Sequence, residues 1–369
     1  MLEHYTSVEG FRGILSTKNL RMTRVEFMND PLESRVMRNI IERYLENSNK
    51  EMKTIEAVAE VLKKKKIEGK IKETKDLHKK ANVMDYMDFI LENIRMYVLS
   101  LTSKDDKLEI WNYYGNGGIQ LSIDEEKLMN EMEKDLKELK NPEAYVACGK
   151  VIYVKEGEKP EEIPLNELFE SFNLRGIDTK MCGELTKVIK KQHGEDNTIK
   201  KFVDLFTFDY YRSMEFLRRT EKIGDDSEKE EILSEIYENQ NSVASRMLFK
   251  KGYYIYMIIL SALVKTASYK YEEETRIIYF ENLLAKSEGK RKDSQFIVKP
   301  IGGQSYLCPY IEFKVAKIGE ALNAVTISPT LKNVPIEEKV YMQAFYEFVE
   351  SHSGNEGIKV GVSQHKIRW

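Results

Sequence analysis

The N-terminal part of the chain combines short strand patterns with one helical pattern. Residues 1–6 are typical of a strand, and Ser7 is a suitable N-cap for a helix with one apolar face. The apolar positions of that face are Val8, Phe11, Ile14 and Leu15. Apolar and polar residues then alternate over 20–27, which predicts a second strand.

Similar patterns recur along the rest of the chain. Helical patterns cover 34–47, 108–115, 124–140 and 335–349. Strand patterns cover 96–103, 119–123, 145–154, 269–280, 295–301, 309–315, 324–328 and 357–362. Short strands scattered among helices predict an α+β fold, with one mixed sheet or a split pair of small sheets.

Two long helical stretches, at about 34–95 and 160–268, are predicted insertions in a single domain that spans 1–369. The first holds a lysine-rich segment at 51–80. We expect this segment to form an exposed hairpin, remote from any cleft, that contributes to binding a protein partner. Local attraction of phosphates is the alternative role for these lysines.

The composition excludes several classes of protein. The chain has 369 residues, of which 41% are hydrophobic and 32% charged, as in globular proteins, and its net charge of -3 creates no global attraction to nucleic acid. Three widely spaced cysteines, with no CxxC and no Cys/His cluster, predict no metal site and a cytoplasmic location. The most apolar run, 253–264, is shorter than the roughly 20 residues of a bilayer span, so no membrane partner is expected.

The segment 269–280 joins an acidic cluster to an apolar strand pattern. Carboxylates that enter a core are costly unless they are paired. In an extended strand Glu272 and Glu274 share one face and Glu273 takes the other, while Arg276 lies on the face of Glu274. The simplest interpretation is an ion pair at the entrance of a strand, and the alternative is a catalytic carboxylate.

Three other groups of residues are candidates for the same site, each with a structural alternative. His4-Tyr5-Thr6 opens the chain, and His4 could simply be a satisfied histidine. Asn29-Asp30-Pro31 is also ordinary turn chemistry. The strand Ser100-Leu101-Thr102 precedes Trp111 and Tyr114, which could fill the core or stack on a planar ring.

In their order along the chain, these motifs resemble a bacterial family known as domain of unknown function 2971. The resemblance also includes Tyr271 through Arg276 and the tail from Ser363 to Arg368, so it covers the whole chain. That family is in turn similar to the ADP-ribosyltransferase fold, in which a first-strand histidine and a late-strand glutamate contact NAD. The resemblance implies an ADP-ribosyltransferase-like core with large helical insertions.

The resemblance also implies roles for individual residues. Glu274 would be the catalytic carboxylate beside the nicotinamide ribose, with His4 on the adenosine ribose and Ser100 as a third catalytic residue. NAD would be the substrate, with no metal. The residues implied to bind it are His4, Tyr5, Thr6, Asn29, Thr102, Trp111, Tyr114 and Arg276. A phosphate-binding cation is also needed, for which Arg24, Arg35 and Arg276 are candidates.

Three functions from different classes follow. The first is an NAD-consuming ADP-ribosyltransferase or NAD hydrolase, acting as a toxin or an antiviral defence effector on a protein or nucleic-acid acceptor. The second is a module that binds a nucleotide or NAD-derived ligand without catalysis. The third is an interaction protein whose helical insertions bind a partner. The first predicts that His4, Ser100 and Glu274 surround one cleft, with Trp111 or Tyr114 partly exposed in it.

Overall fold

A computed structural model gives the fold of this protein. It describes residues 1–28, 35–48, 91, 94–114, 117–142, 144–159, 162–165, 172–191, 219, 225, 227–228, 231, 255, 257–282, 295–301, 304–330 and 337–365. Asn29 and its turn, the lysine-rich segment at 51–80, most of the second predicted insertion and Arg368 lie outside these residues.

The described residues form a mixed α/β structure, as the sequence patterns predict. The strands are β1 (Leu2–Thr6), β2 (Asn19–Arg24), β3 (Ile94–Thr102), β4 (Ile119–Ile123), β5 (Ala144–Lys150), β6 (Ile152–Val154), β7 (Asn173–Gly176), β8 (Val264–Thr266), β9 (Glu274–Asn282), β10 (Gln295–Ile301), β11 (Gln304–Lys314), β12 (Leu322–Ile327) and β13 (Lys359–Val362). The α-helices are α1 (Val8–Thr17), α2 (Val36–Ser48), α3 (Leu108–Tyr114), α4 (Glu125–Leu139), α5 (Thr179–Lys191), α6 (Ile318–Ala321) and α7 (Glu338–Ser353). Short 3₁₀ helices cover Val25–Phe27 and Ala267–Glu272.

Most strands belong to one curled mixed sheet that branches at β3. Its main path runs β10-β11-β2-β3-β1-β4-β12-β13, and β9 joins β3 to a branch formed by β5 and β7. The pair β12 and β13 is parallel, whereas β3 is antiparallel to β1, β2 and β9. Strands β6 and β8 form a separate parallel pair.

Helix α1 connects β1 to β2 and is capped by Ser7 at its start and by Lys18 at its end. The Ser7 hydroxyl accepts a hydrogen bond from the Gly10 N–H at 3.0 Å, and Lys18 ends the helix in a left-handed conformation with φ 58°. Phe11 is buried on the predicted apolar face, but Val8 is exposed. The first turn therefore lies outside the core that the later turns enter.

Alternate residues of β3 enter hydrophobic clusters on opposite faces of the sheet. Met96 and Val98 belong to one cluster, and Tyr97 and Leu99 belong to the other. Both faces of this central strand are therefore covered by other elements. By the same alternation Ser100 falls on the face of Met96 and Val98, where it interrupts an apolar row. None of the helices in the described residues is long and apolar enough to cross a membrane.

Candidate functional site

The sheet forks along one edge of β3. Strand β2 pairs with the first half of β3 through Thr23 and Val98, and β1 pairs with its end through Glu3 and Thr102. Between these two contacts, residues 99–101 of β3 have neither strand beside them in register. A cavity of about 230 Å³ lies at this fork.

The cavity brings together residues that are far apart in the sequence. Its lining from the three forked strands is Glu3, His4, Tyr5, Arg21, Thr23, Val98, Leu99, Ser100, Leu101 and Thr102, and its lining from other segments is Met28, Ile110, Tyr114, Lys265, Glu272 and Glu274. The prediction that His4, Ser100 and Glu274 share one cleft is therefore confirmed as a matter of placement.

His4 covers part of the gap that the fork leaves in β3. Its Nδ1 lies 3.2 Å from the Ser100 carbonyl oxygen, and because a carbonyl only accepts, Nδ1 carries the proton. Burial lowers the pKa of His4, although this hydrogen bond acts in the opposite direction, so the neutral ring is favoured. In that tautomer Nε2 is the hydrogen-bond acceptor of the ring.

Glu274 is held by two cations. Its Oε1 accepts a hydrogen bond from Arg276 Nε at 2.8 Å, and its Oε2 accepts one from Arg276 Nη2 at 3.0 Å and one from Lys265 Nζ at 3.2 Å. Burial alone would raise the pKa of this carboxyl, but the charges of Arg276 and Lys265 lower the pKa to about 2. Glu274 is therefore an ionised and firmly oriented carboxylate near neutral pH.

Lys265 links Glu274 to a second buried carboxylate, that of Glu272. The ammonium donates to Glu272 Oε2 at 2.8 Å, and the Tyr114 hydroxyl donates to Glu272 Oε1. Burial acts to lower the pKa of Lys265, but Glu274 and Glu272 raise it overall, so this lysine is protonated. The site thus contains two carboxylates and two cations in direct contact.

A backbone turn brings the two carboxylates to one lysine. Strand β9 begins only at Glu274, because Glu273 has a left-handed conformation with φ 43° and Glu272 ends a 3₁₀ helix. The predicted strand start near residue 269 is therefore wrong. Glu273 nevertheless lies outside the site as expected, since it is exposed and its carboxylate is 3.4 Å from Lys104 Nζ.

Two hydroxyl groups fix this turn. The Thr102 hydroxyl donates to the Glu272 carbonyl at 2.6 Å, and the Tyr153 hydroxyl accepts a hydrogen bond from the Glu274 N–H at 2.8 Å. Thr102 lines the cavity, as predicted, but its hydroxyl is committed to the turn. Its observed role is therefore to position the acidic segment.

Ser100 contributes a buried hydroxyl to the cavity. This group helps to lower the pKa of Glu274, yet Oγ makes no hydrogen bond of ordinary geometry to the described residues. A buried hydroxyl in that state is costly unless water or a ligand bonds to it. Ser100 therefore lies beside Glu274 at the cavity, where its hydroxyl can also bond to a molecule that enters.

The two aromatic candidates on α3 have different environments. Trp111 is 1% exposed, its ring packs edge-on against Tyr5 at 4.8 Å, and its Nε1 donates to Asp106 Oδ1 at 2.8 Å. It does not line the cavity, which corrects the stacking role implied for it and agrees with the core-filling alternative. Tyr114 lines the cavity and is 38% exposed, as predicted for a stacking residue.

The remaining predicted ligand-binding residues also divide into those that line the cavity and those that do not. Tyr5 lines the cavity, but its hydroxyl donates to the Lys104 carbonyl at 3.0 Å. Thr6 is not part of the lining. Arg276 is 0% exposed and donates to Glu274 and to the Ala262 carbonyl, so it cannot reach a phosphate in the cavity, and the binding role implied for it is corrected.

Sequence patterns did not single out Lys265 or Arg21, which both line the cavity. A signal existed for Lys265, since a charged residue directly follows the most apolar run of the chain at 253–264. Such a position predicts a buried cation that needs carboxylate partners. No comparable signal marks Arg21, because charged residues are common on the exposed face of a strand.

Comparisons of the chain with protein-family models, with curated proteins and with solved structures found no match. The resemblance described above therefore rests on the ordered motifs alone. In the described part of the chain, no cluster of three or more His, Cys, Asp or Glu side chains could hold a metal ion.

Proposed function

We propose that the protein binds an NAD-type nucleotide in the fork cavity and cleaves its N-glycosidic bond, as an ADP-ribosyltransferase or an NAD glycohydrolase. The observation that carries this proposal is the convergence of His4, Ser100 and Glu274 on one cavity. These residues come from the first, third and ninth strands, and the resemblance assigns catalytic roles to the same three.

Cleavage of the N-glycosidic bond requires little from the protein beyond a fixed negative charge beside the ribose. The bond between ribose C1′ and the nicotinamide nitrogen breaks, its electron pair leaves with the neutral nicotinamide, and a ribosyl oxocarbenium ion forms. Water or an acceptor nucleophile then bonds to C1′ and releases one proton. A carboxylate that is already oriented stabilises the cation without reorganisation. Glu274 meets this requirement because its ionised carboxylate is held by Arg276 and Lys265.

The other lining residues support binding of a ribosyl ligand. The His4 Nε2 lone pair can accept a hydrogen bond from a ribose hydroxyl, and the buried Ser100 hydroxyl can bond to the same sugar. The partly exposed ring of Tyr114 can stack on a planar base.

A second candidate function is binding of a nucleotide without catalysis. The observation in its favour is that both carboxylate oxygens of Glu274 already accept hydrogen bonds from cations. Two cations reduce the negative charge that a ribosyl cation would experience. A pocket of this kind recognises a sugar through fixed hydrogen bonds, with no demand for bond cleavage.

The decisive experiment measures nicotinamide release from NAD by the full chain, with and without cell lysate, alongside NAD binding. Glu274→Gln is expected to reduce the rate of release about 10²–10³-fold, with a much smaller change in NAD affinity. Glu273→Gln is the matched control, since that carboxylate faces solvent on the neighbouring residue. Glu272→Gln tests the second carboxylate beside Lys265, and thermal unfolding confirms that each variant is folded.

Different outcomes separate the two functions. Turnover by the unaltered protein that is equal in all three variants would exclude Glu274 from the mechanism. NAD binding without nicotinamide release under any condition would favour the binding module. If NAD neither binds nor reacts, the proposed function is wrong, and the second function stands only if another nucleotide binds in the cavity.

A further inference from the structure

Arg21 is a cation at the fork cavity whose orientation is fixed by neighbours on β11. Its Nε donates to Glu312 Oε1 at 3.2 Å, across the paired strands β2 and β11. Its guanidinium carbon also lies 4.9 Å from the centre of the Tyr310 ring, which is itself buried. A guanidinium held by a carboxylate on Nε and by an aromatic face loses little further freedom when it binds a ligand.

The outer edge of this guanidinium remains available. Among the contacts of the described residues, Arg21 bonds through Nε and stacks on Tyr310, and neither Nη group makes a hydrogen bond. The side chain is 57% exposed and lines the cavity. Two parallel N–H groups on a planar fork match the oxygens of a phosphate.

Of the other cations considered for this role, Arg35 does not line the cavity. The remaining three are already occupied. Arg24 donates through Nε and Nη2 to the carboxylate of Glu26 and does not line the cavity. Arg276 is enclosed by Glu274, and Lys265 is shared by Glu272 and Glu274. Arg21 therefore differs from each of them, because it combines a place at the cavity with uncommitted donors.

We infer that Arg21 forms an anion subsite of the fork cavity and binds a phosphate group of a nucleotide. The glycosidic end of that nucleotide would lie at Glu272 and Glu274, so the cavity would recognise a ligand with its anionic group at one end and its sugar at the other. The naming of a nucleotide rests on the proposed function, whereas the anion chemistry rests on Arg21 alone.

The test is titration calorimetry of the full chain at low salt with three probes. Nicotinamide mononucleotide carries a phosphate, and nicotinamide riboside is the same molecule without it. Inorganic pyrophosphate is a phosphate anion without any sugar. Arg21→Gln is expected to weaken mononucleotide and pyrophosphate binding about 10-fold and to leave riboside binding unchanged. The variant should fold, because Asn19 Nδ2 still donates to Glu312 at 3.0 Å.

Two further variants sharpen the result. Arg24→Gln removes a neighbouring arginine of the same strand that does not line the cavity, so it should bind all three probes like the unaltered protein. Arg21→Lys keeps the charge but not the two-pronged geometry, so its loss of mononucleotide binding should be smaller than that of Arg21→Gln.

The possible results distinguish this inference from the proposed function. If NAD is cleaved but Arg21→Gln changes mononucleotide and riboside binding by the same factor, the function stands and the anion subsite is wrong. If the nicotinamide compounds do not bind but pyrophosphate does, with an Arg21-dependent affinity, the function is wrong and the subsite stands. If the unaltered protein binds none of the probes, the subsite is wrong.

Discussion

Strand β9 carries a buried carboxylate at each end, and the two have different surroundings. Glu274 at the start is 5% exposed, lines the fork cavity and contacts two cations. Glu281 near the other end is 0% exposed and does not line that cavity. Their seven-residue separation places them on opposite faces of the sheet.

Among the described residues, the hydrogen-bond donors to Glu281 are neutral groups. Its Oε2 accepts hydrogen bonds from the Tyr279 hydroxyl at 2.8 Å and from Asn141 Nδ2 at 3.4 Å, and Arg95 Nη1 lies 3.7 Å from Oε1. Both carboxylates are buried on a strand near an arginine, so these features alone do not mark a functional site. What distinguishes Glu274 is the opening that β1 and β2 leave beside β3.

The largest expected difference between the two ends of β9 is the stability lost when the cation beside each carboxylate is removed. Lys265→Met should lower the free energy of unfolding by about 3–5 kcal/mol, because Glu272 and Glu274 would lose the ammonium between them. Arg95→Met should lower it by about 1 kcal/mol or less, since Arg95 is partly exposed and more distant from its carboxylate. Urea denaturation at pH 7 measures both, and equal losses would contradict the comparison.

The next largest effect is the acid dependence of stability that Glu274 causes. Its pKa of about 2 in the folded protein lies below the ordinary value of 4.5, so its stabilising contribution is complete above pH 4.5 and is lost as the pH falls toward 2. The shift corresponds to at most about 3 kcal/mol. The stability difference between the unaltered protein and Glu274→Gln should therefore shrink between pH 5 and pH 2.5. Parallel stability curves over that range would show that the carboxyl of Glu274 has no such role.

The smallest effects come from two tyrosines, Tyr279, which donates to Glu281, and Tyr114, which donates to Glu272 beside Glu274. Tyr279→Phe should cost about 1.5–3 kcal/mol, because it removes a charged hydrogen bond in a fully enclosed site. Tyr114→Phe should cost less than about 1 kcal/mol, because water in the cavity can replace the hydroxyl at Glu272. Denaturant unfolding tests this order. A larger loss for Tyr114→Phe than for Tyr279→Phe would mean that Glu272 at the fork is less accessible to water than Glu281.

The acidic segment shows how far sequence patterns could go. Alternation placed Glu273 away from Glu272 and Glu274, and that division holds in the structure. It holds for a different reason, because a left-handed residue and a 3₁₀ helix stand where an extended strand was expected. Positive φ at a glutamate is uncommon, and no local pattern predicts it.

The aromatic pair on α3 shows a second limit. A spacing of three placed Trp111 and Tyr114 on neighbouring positions of one helix, but only Tyr114 lines the cavity. The burial of Trp111 depends on Tyr5 and Asp106, which come from other segments. Sequence spacing does not contain that information.

The sequence by itself determined the local elements, because caps, apolar periodicity and alternation act within a few residues. The capped helix α1 and most strands of the sheet follow from such short-range rules, whereas β7 and β8 lie in the stretch 160–268 that was predicted to be helical. The candidates His4, Ser100 and Glu274 were named from the family resemblance. Only the tertiary structure decided that β1 and β2 separate along β3, that Lys265 joins the two carboxylates and that the Nη groups of Arg21 bond to none of the described residues. The farthest of these contacts joins residues 291 positions apart, and such contacts are fixed by packing of the whole sheet.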